Sequence, residues 1–572
     1  MSVTLDYLPS PSQESVPDDR STRWAVWRSP SGQPPWARPA LLGIAFVAAV
    51  LYAWNLSLVD YAPLYSEAVK SMSGSWKAFL FGAIDMEATY TLDKLAGSFV
   101  PQVISAKIFG FHAWSLALPQ VIEGVISVLV MYRVVRRWAG VVPGLLAAGI
   151  FTLTPVAASM FGHSMHDGLL TMCLVLAVDA YQRAVLEGRL RSLVWAGVWV
   201  GIGFQAKMLQ AWMVLPALAV GYLLTAPIEL RRRVKHLGIA GVTTLAVSLS
   251  WIALYTFTPA DDRPYIDGST NNSAAAMVFG YNGLGRVGID LPGARTVSDS
   301  DIPTANPDMP PPPLVDIRPT IRGNPWEDPT KVKSRESPSG WGKLFDGHLG
   351  VAIAWLLPLT LLSLLCGLWW WRRAERTDPV RGGLVMWGVW LVTFGLVFSA
   401  GEVAHTAYVA SFAPAVAALS ALGIVMFWRA FRRGGGQAWI LPVAVAAEVA
   451  WGAWLWSHYP NFLPGARWGA LTLGVIAVVV LVLARVLRTA STALVTGALA
   501  LGVAAMLAAP ATYAVSVLDP DYAGASYDAN AGPESGKIPS GPGAGRLPAG
   551  PGPGEPPPGP GPGGTPGDGG GG

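Results

Sequence analysis

Apolar runs long enough to cross roughly 30 Å of hydrocarbon begin near Ala40, Leu116, Val142, Asp167, Leu193, Leu209, Leu237, Gly350, Gly383, Tyr408, Ile440, Trp468 and Ala490. They predict an all-α polytopic membrane protein of about thirteen transmembrane helices, because helices are the structures that satisfy their own backbone in lipid. Arginine falls in alternate connections. It clusters at Arg23, Arg28 and Arg38, at Arg133, Arg136 and Arg137, and at Arg183, Arg189 and Arg191, then again around Arg231, Arg372, Arg429 and Arg485. By the positive-inside rule these loops and the N-terminus are cytoplasmic. The other loops are then extracytoplasmic, including two long ones over about 60–110 and 258–349.

In the first long loop, Leu64 to Leu80 and Leu92 to Ile108 have apolar and aromatic faces suited to helices lying in the interface. The second carries a proline run, Pro310 to Pro313, among many Asp, Asn and Gly, and reads as largely irregular. Residues 1–39 are polar and Pro/Ser-rich, a disordered cytoplasmic segment. The apolar run after them has no small-residue cleavage site, so it reads as a retained signal anchor. From Asp519 the chain turns Gly/Pro-rich with no apolar periodicity, which predicts a disordered extracytoplasmic tail over 519–572. Residues 40–432 form the expected catalytic membrane domain and 433–518 the C-terminal helices.

Composition sharpens the class. Hydrophobic residues make up 52% and charged residues only 13%, about half the charged share of soluble domains. The net charge of +4 is spread through loop clusters rather than gathered on one face, so nucleic-acid binding is set aside. Cys173 and Cys366 lie within apolar runs, where thiols act as small hydrophobes. Heavy use of Arg, Ala and Gly points to a GC-rich bacterial genome. No pair of interrupted helices marks a secondary transporter.

Ionisable residues gather at the expected outer ends of the spans, where charge is costly and usually functional. Asp93-Lys94 follows the first span. His166 and Asp167 open a later one, although an aspartate there also suits a helix cap. Lys207 is the only lysine between Lys107 and Lys235; a lysine there can also snorkel to the headgroups.

In order, YAPLYSEAVKSM (Tyr61–Met72), FGAIDMEATYTLDK (Phe81–Lys94), MFGHSMHDG (Met160–Gly168) and GFQAKMLQAW (Gly203–Trp212) resemble the GT-C glycosyltransferases of the protein O-mannosyltransferase and aminoarabinose-transferase group (glycosyltransferase family 39). The likeness is strongest to the bacterial YkcB-like branch and covers roughly 40–432. It implies a GT-C bundle that moves a hexose, mannose by default, from a polyprenyl-phosphate donor to an acceptor outside the cell membrane, with inversion. The acceptor is left open among protein, lipid and wall polymer. The chemistry needs cations to stabilise the departing phosphate and a carboxylate to take the acceptor's proton. The resemblance assigns Lys94 and Lys207 to the donor phosphate, and Asp93 to a metal or to orienting Lys94. Asp167 becomes a catalytic carboxylate with His166 beside it.

Several positions depart from the family pattern. The acidic pair expected just before the Arg-Tyr of the first loop is replaced by Tyr61-Ala62 when Tyr65 is aligned, leaving Asp60 and Glu67, with Asp85 and Glu87 as others, as substitutes for the base. In FGYNGLGR (Phe279–Arg286) a metal-binding His is replaced by Tyr281 while Arg286 is kept, so a divalent cation stays open rather than assigned. DDRPYIDGSTNNS (Asp261–Ser273), with Asn282 beyond it, offers Asp267, Asn271 and Asn272 to sugar hydroxyls, or serves simply as turns. GEVAHTAYVASFAP (Gly401–Pro414) resembles a His-x-x-Tyr segment, which places His405 and Tyr408 along the lipid-phosphate cleft. The branch's soluble C-terminal domain is not expected, the Gly/Pro tail standing in its place. A lipid-linked substrate transporter or flippase, and an inactive GT-C-like scaffold, are the alternatives.

Overall fold

A computed structural model describes residues 27–62, 64–295, 340–403, 405–487, 492–526 and 528–533. The expectations for 1–26, for the proline run Pro310 to Pro313 and for 534–572 lie outside the described residues.

A helix starts at or near each apolar run. In chain order these are α1 (Ala37–Ala53), the first-loop helices α2 (Tyr65–Gly74), α3 (Trp76–Phe81) and α4 (Val100–Phe109), then α5 (Ala113–Ala139), α6 (Val141–Thr152), α7 (Pro155–Met160), α8 (Asp167–Glu187), α9 (Leu190–Lys207), α10 (Leu209–Trp212), α11 (Leu215–Thr225) and α12 (Leu230–Phe257). After the second loop follow α13 (Gly347–Ile353), α14 (Leu357–Trp370), α15 (Pro379–Ala400), α16 (Ala413–Arg433), α17 (Ile440–Ser457), α18 (Pro464–Leu487) and α19 (Thr492–Val515). Among the described residues ten helical segments are long and apolar enough to cross a membrane, against the thirteen expected. The three others differ for local reasons. α6 has only 12 residues, α9 carries Arg191 and Lys207 near its ends, and the Leu209–Thr225 segment is interrupted between α10 and α11.

Proline sits in the first turn of α4, α7, α11, α14, α15 and α16, where its missing N–H has no intrahelical role. α16 is the central post, its apolar window wholly buried, whereas α12 and α18 turn most of their surface outward. Glycines let helices close on one another: a Cβ at Gly383 would collide with the Trp138 ring, and one at Gly197 would meet the Ala240 carbonyl. At the arginine-rich end, buried Asp179 of α8 receives Arg133 at 2.6 Å, Arg137 at 2.7 Å and Arg183 at 2.9 Å.

At the opposite end the first loop forms the expected surface-lying helices. Ala68, Val69 and Met72 of α2 pack on Phe99 and Val103. α12 grips α3 through Trp251 Nε1 to the Leu80 carbonyl (2.8 Å) and Tyr255 Oη to that of Phe81 (2.7 Å). The two long loops are zipped together by backbone bonds from Thr91 to Tyr265 (2.9 Å) and from Tyr265 to Thr89 (2.8 Å).

One expectation is corrected here. Composition assigns everything after Asp519 to a disordered tail, yet residues 519–526 and 528–533 fold back onto this loop end, with Asp528, Ala529, Asn530 and Ala531 buried. Small side chains fit between existing elements without a hydrophobic period of their own, so periodicity alone overlooks them.

Candidate active site

Lys94 follows the inter-loop zipper and is only 5% exposed. Its ammonium donates to Asp93 Oδ2 at 2.5 Å and to Asn282 Oδ1 at 3.0 Å, while Asn282 Nδ2 donates to the Asp93 carbonyl at 2.7 Å. The second loop thus closes on the Asp93-Lys94 pair through one amide. Asn282 is aimed by the π-helical turn Ala276–Tyr281 immediately before it. Burial alone raises the Asp93 carboxyl, but the Lys94 charge and hydrogen bond, with the Arg286 charge, outweigh it and hold the group ionised below its ordinary range.

A second lysine–carboxylate pair lies at the same end. Asp167 opens α8, Lys207 closes α9, and the ammonium makes a short ion pair to Asp167 Oδ1 with both side chains buried. Asp167 Oδ2 is buried without a hydrogen-bond donor. Directly after Lys207, Met208 takes φ +46°, a left-handed backbone that costs a non-glycine residue about 1–3 kcal/mol. Leu64, at φ +61°, stands in the same relation just before Tyr65. Both outliers flank candidate site residues, where strain of this kind tends to collect.

Tyr408 joins the two pairs. Lys207 Nζ lies 3.6 Å from its ring centroid, a close cation–π contact. Gln210 of α10 holds the Tyr408 carbonyl at 2.9 Å. His405 lies with its ring 6.1 Å from that of Tyr408. Burial, followed by the charges of Lys207, Lys94 and Arg286 against an opposing Asp167, pushes the His405 imidazole down to about 4. His166 is buried edge-on to Tyr65 at 5.4 Å; burial and the two lysines hold it well below its ordinary value, hence neutral. Arg286 stacks 5.2 Å from Tyr281, and its carbonyl takes the Glu402 N–H at 2.8 Å, tying the second loop to the His405 segment.

The other expected residues lie elsewhere or are otherwise occupied. Asp60 and Glu67 are exposed, and among the described residues neither side chain contacts the cluster. Glu67 faces outward because α2 buries positions 68, 69 and 72. Asn272, at φ +56°, spends its side chain on Arg263 (2.7 Å) and the Ile266 N–H (3.0 Å), so it shapes the loop instead of reaching outward. Asn271 is exposed. Asp267 accepts from Tyr90 (3.0 Å) and Arg295 (3.1 Å) and is half-buried at the loop junction. The cation left open at Asp93 does not fit the residues present. Oδ2 is taken by Lys94, and no group of three or more His, Cys, Asp or Glu among the described residues could hold an ion. Gln210 and Glu402 enter the site's surroundings from within the quoted stretches, though nothing in those motifs singles them out, and Asp528 enters from outside any motif.

Residues 99–251 match the family described as dolichyl-phosphate-mannose-protein mannosyltransferase. The putative mannosyltransferase YkcB of Bacillus subtilis (strain 168) is 31% identical over 503 residues, covering 77% of this chain and 70% of that protein. YycA of the same organism, also a putative mannosyltransferase, is 29% identical over 487 residues, 76% of this chain and 71% of its own. Among solved structures, apo ArnT from Cupriavidus metallidurans aligns with TM-score 0.47 and 16% identity over 84% of this chain and 76% of that one. The helical bundle and the sequence relatives define a multi-pass membrane glycosyltransferase of the GT-C class. Within that class the chain belongs to the family of the Bacillus YkcB and YycA proteins.

Proposed function

We propose that the Asp93-Lys94 and Asp167-Lys207 cluster is the active site, and that it transfers a hexose, mannose by default, from a polyprenyl-phosphate carrier to an acceptor at the extracytoplasmic face of the cell membrane. The observation that carries this reading is the pair of lysine–carboxylate contacts at one end of the bundle, Lys94 with Asp93 and Lys207 with Asp167, with Lys207 3.6 Å from the Tyr408 ring and Arg286 against Tyr281, next to the Asn282 that holds Lys94. Three cations and a carboxylate are what displacement of a lipid phosphate requires. The donor class is supported by a relative in Pseudomonas fluorescens named undecaprenyl phosphate-alpha-4-amino-4-deoxy-L-arabinose arabinosyl transferase 2, 28% identical over 229 residues, 38% of each chain.

In this reading the bond from the anomeric carbon to the phosphate oxygen breaks as the acceptor oxygen attacks from the opposite face. The departing phosphate is met by Lys94, Lys207 and Arg286, which make charge-assisted hydrogen bonds about twice as strong as neutral ones. The acceptor's proton passes to Asp167 Oδ2, the carboxylate oxygen of the two pairs that is buried without a donor. Asp93 orients Lys94. Arginine placement sets the N-terminus and the arginine-rich end in the cytoplasm.

The test is transfer of radiolabelled sugar from polyprenyl-phosphate-mannose or -glucose to membrane extract by the purified protein. Asp93→Asn and Lys94→Ala should abolish it. Unchanged turnover in both variants would overturn the site assignment, and transbilayer movement of the lipid without transfer would favour a flippase.

A further inference from the structure

The fold-back segment lies against the candidate site's supporting loops, and one of its side chains has a specific job there. Asp528 is 9% exposed. Its Oδ1 accepts the Thr406 N–H at 2.7 Å and its Oδ2 the Thr406 hydroxyl at 3.2 Å. Thr406 is itself 1% exposed. It follows His405, precedes Tyr408 by two positions, and opens the 3₁₀ turn Thr406–Phe412 that runs straight into α16. A carboxylate is the natural partner for that turn, because it accepts from both donors and complements the positive end of the helix.

The clamp is itself held in place. Ser159 donates to the Ala523 carbonyl at 2.6 Å and Ser526 to the Asp60 carbonyl at 2.8 Å, anchoring the segment to α7 and to the start of the first loop. The segment closes on itself through Ala525 N to the Asp528 carbonyl and Gly532 N to the Tyr522 carbonyl, both 3.0 Å. Gly524 at φ +89° and Gly532 at φ +99° permit that closure, which L side chains would strain. A side chain at Gly524 would also collide with Ser159 Oγ.

We propose that Asp528 is a positioning residue for the active site: from the segment after α19, it fixes the backbone that sets Tyr408, with His405 beside it, against Lys207. Gln210 donates to the Tyr408 carbonyl and to Ser411 Oγ, both at 2.9 Å, so the turn is held along its length as well as at its start. The inference rests on the proposed function above, because it concerns residues lining that donor cleft.

The experiment uses the full chain in nanodiscs, measuring kcat and KM for sugar transfer from polyprenyl-phosphate-mannose together with the thermal unfolding midpoint. Asp528→Ala should lose roughly tenfold to a hundredfold in kcat/KM, the cost of leaving buried donors unmet. Asp528→Asn keeps an acceptor for the N–H and can donate to the hydroxyl oxygen, so it should recover to within about threefold of wild type. Thr406→Val, which removes only the hydroxyl contact, should fall by about fivefold and serves where the alanine variant does not fold. A purely structural role predicts instead that both Asp528 variants lower midpoint and yield alike, with turnover per folded molecule unchanged. That result, or wild-type kcat/KM in Thr406→Val, overturns the proposal. Lys207→Ala separates the two levels. If it abolishes transfer while Asp528→Ala does not impair it, the positioning role fails alone; if it also keeps full turnover, the site reading fails and the positioning role with it.

Discussion

Replacing Lys94 by methionine is the sharpest test of the cluster, because the structure gives that lysine two separable duties. Its ammonium neutralises Asp93 at 2.5 Å and, in the proposed reaction, meets the departing phosphate. Losing the phosphate contact in a buried site should cost about 3–4 kcal/mol in the transition state, or roughly a hundredfold to a thousandfold in kcat. Losing the neutralising contact leaves a carboxylate with 20% of its side chain exposed beside Arg286. That should lower stability by about 2–3 kcal/mol, less than the roughly 3–5 of a fully enclosed pair. The two costs separate in Asp93→Asn/Lys94→Met, where the stranded charge is gone but the phosphate still lacks its cation. Stability should return to near wild type while transfer stays at the level of Lys94→Met alone, a strongly non-additive cycle for folding. The assay is initial-rate transfer from polyprenyl-phosphate-mannose together with unfolding midpoints in the same detergent. If the double variant regains turnover, Lys94 serves only to neutralise Asp93 and the phosphate assignment is refuted.

Further outcomes follow from individual residues. Burial and the neighbouring Lys207, Lys94 and Arg286 charges hold His405 at about 4, against roughly 6.5 in the unfolded chain; the unfolded state therefore binds more protons, and stability present above pH 6.5 should fall by on the order of 3 kcal/mol as pH drops towards 4. His405→Gln should flatten that part of the pH–midpoint curve, and an unaltered slope would contradict the burial argument. Asp179→Ala should lower the midpoint by about 2–3 kcal/mol equivalent, below the figure for enclosed pairs because Arg133 and Arg183 are 45% and 47% exposed and can turn to the headgroups, with turnover per folded molecule unchanged. Glu67→Gln and Asp60→Asn should each leave kcat/KM within about twofold of wild type; a loss of tenfold or more in either would restore the first-loop base.

What the sequence discloses and what it hides divide along the range of the interaction. Helix positions follow from local hydrophobicity, and the loop-end location of Lys94, Asp167 and Lys207 follows from counting spans. The pairing of Asp167 with Lys207 is also short-range in effect, because α8 and α9 are a hairpin whose free ends return to the same surface. Asn282 is different. It meets Lys94 across 188 positions, where the zipper of residues 89–91 with Tyr265 and the Tyr90–Asp267 contact bring the two loops together. Glu67 is a candidate substitute for the base by its place in the first loop alone; positions 68, 69 and 72 carry Ala, Val and Met, a spacing that turns position 67 to solvent. Asp528 lies furthest from any local signal. Its neighbours are small and its surroundings Gly-rich, so neither period nor hydropathy singles it out, and its partner Thr406 is 122 positions away. Electrostatics nevertheless supplies a rule that joins these cases: a buried helix start beside a cationic site needs an acceptor. Where the local sequence has none, as in the His-Thr-Ala-Tyr stretch at 405–408, a distant carboxylate has to supply it.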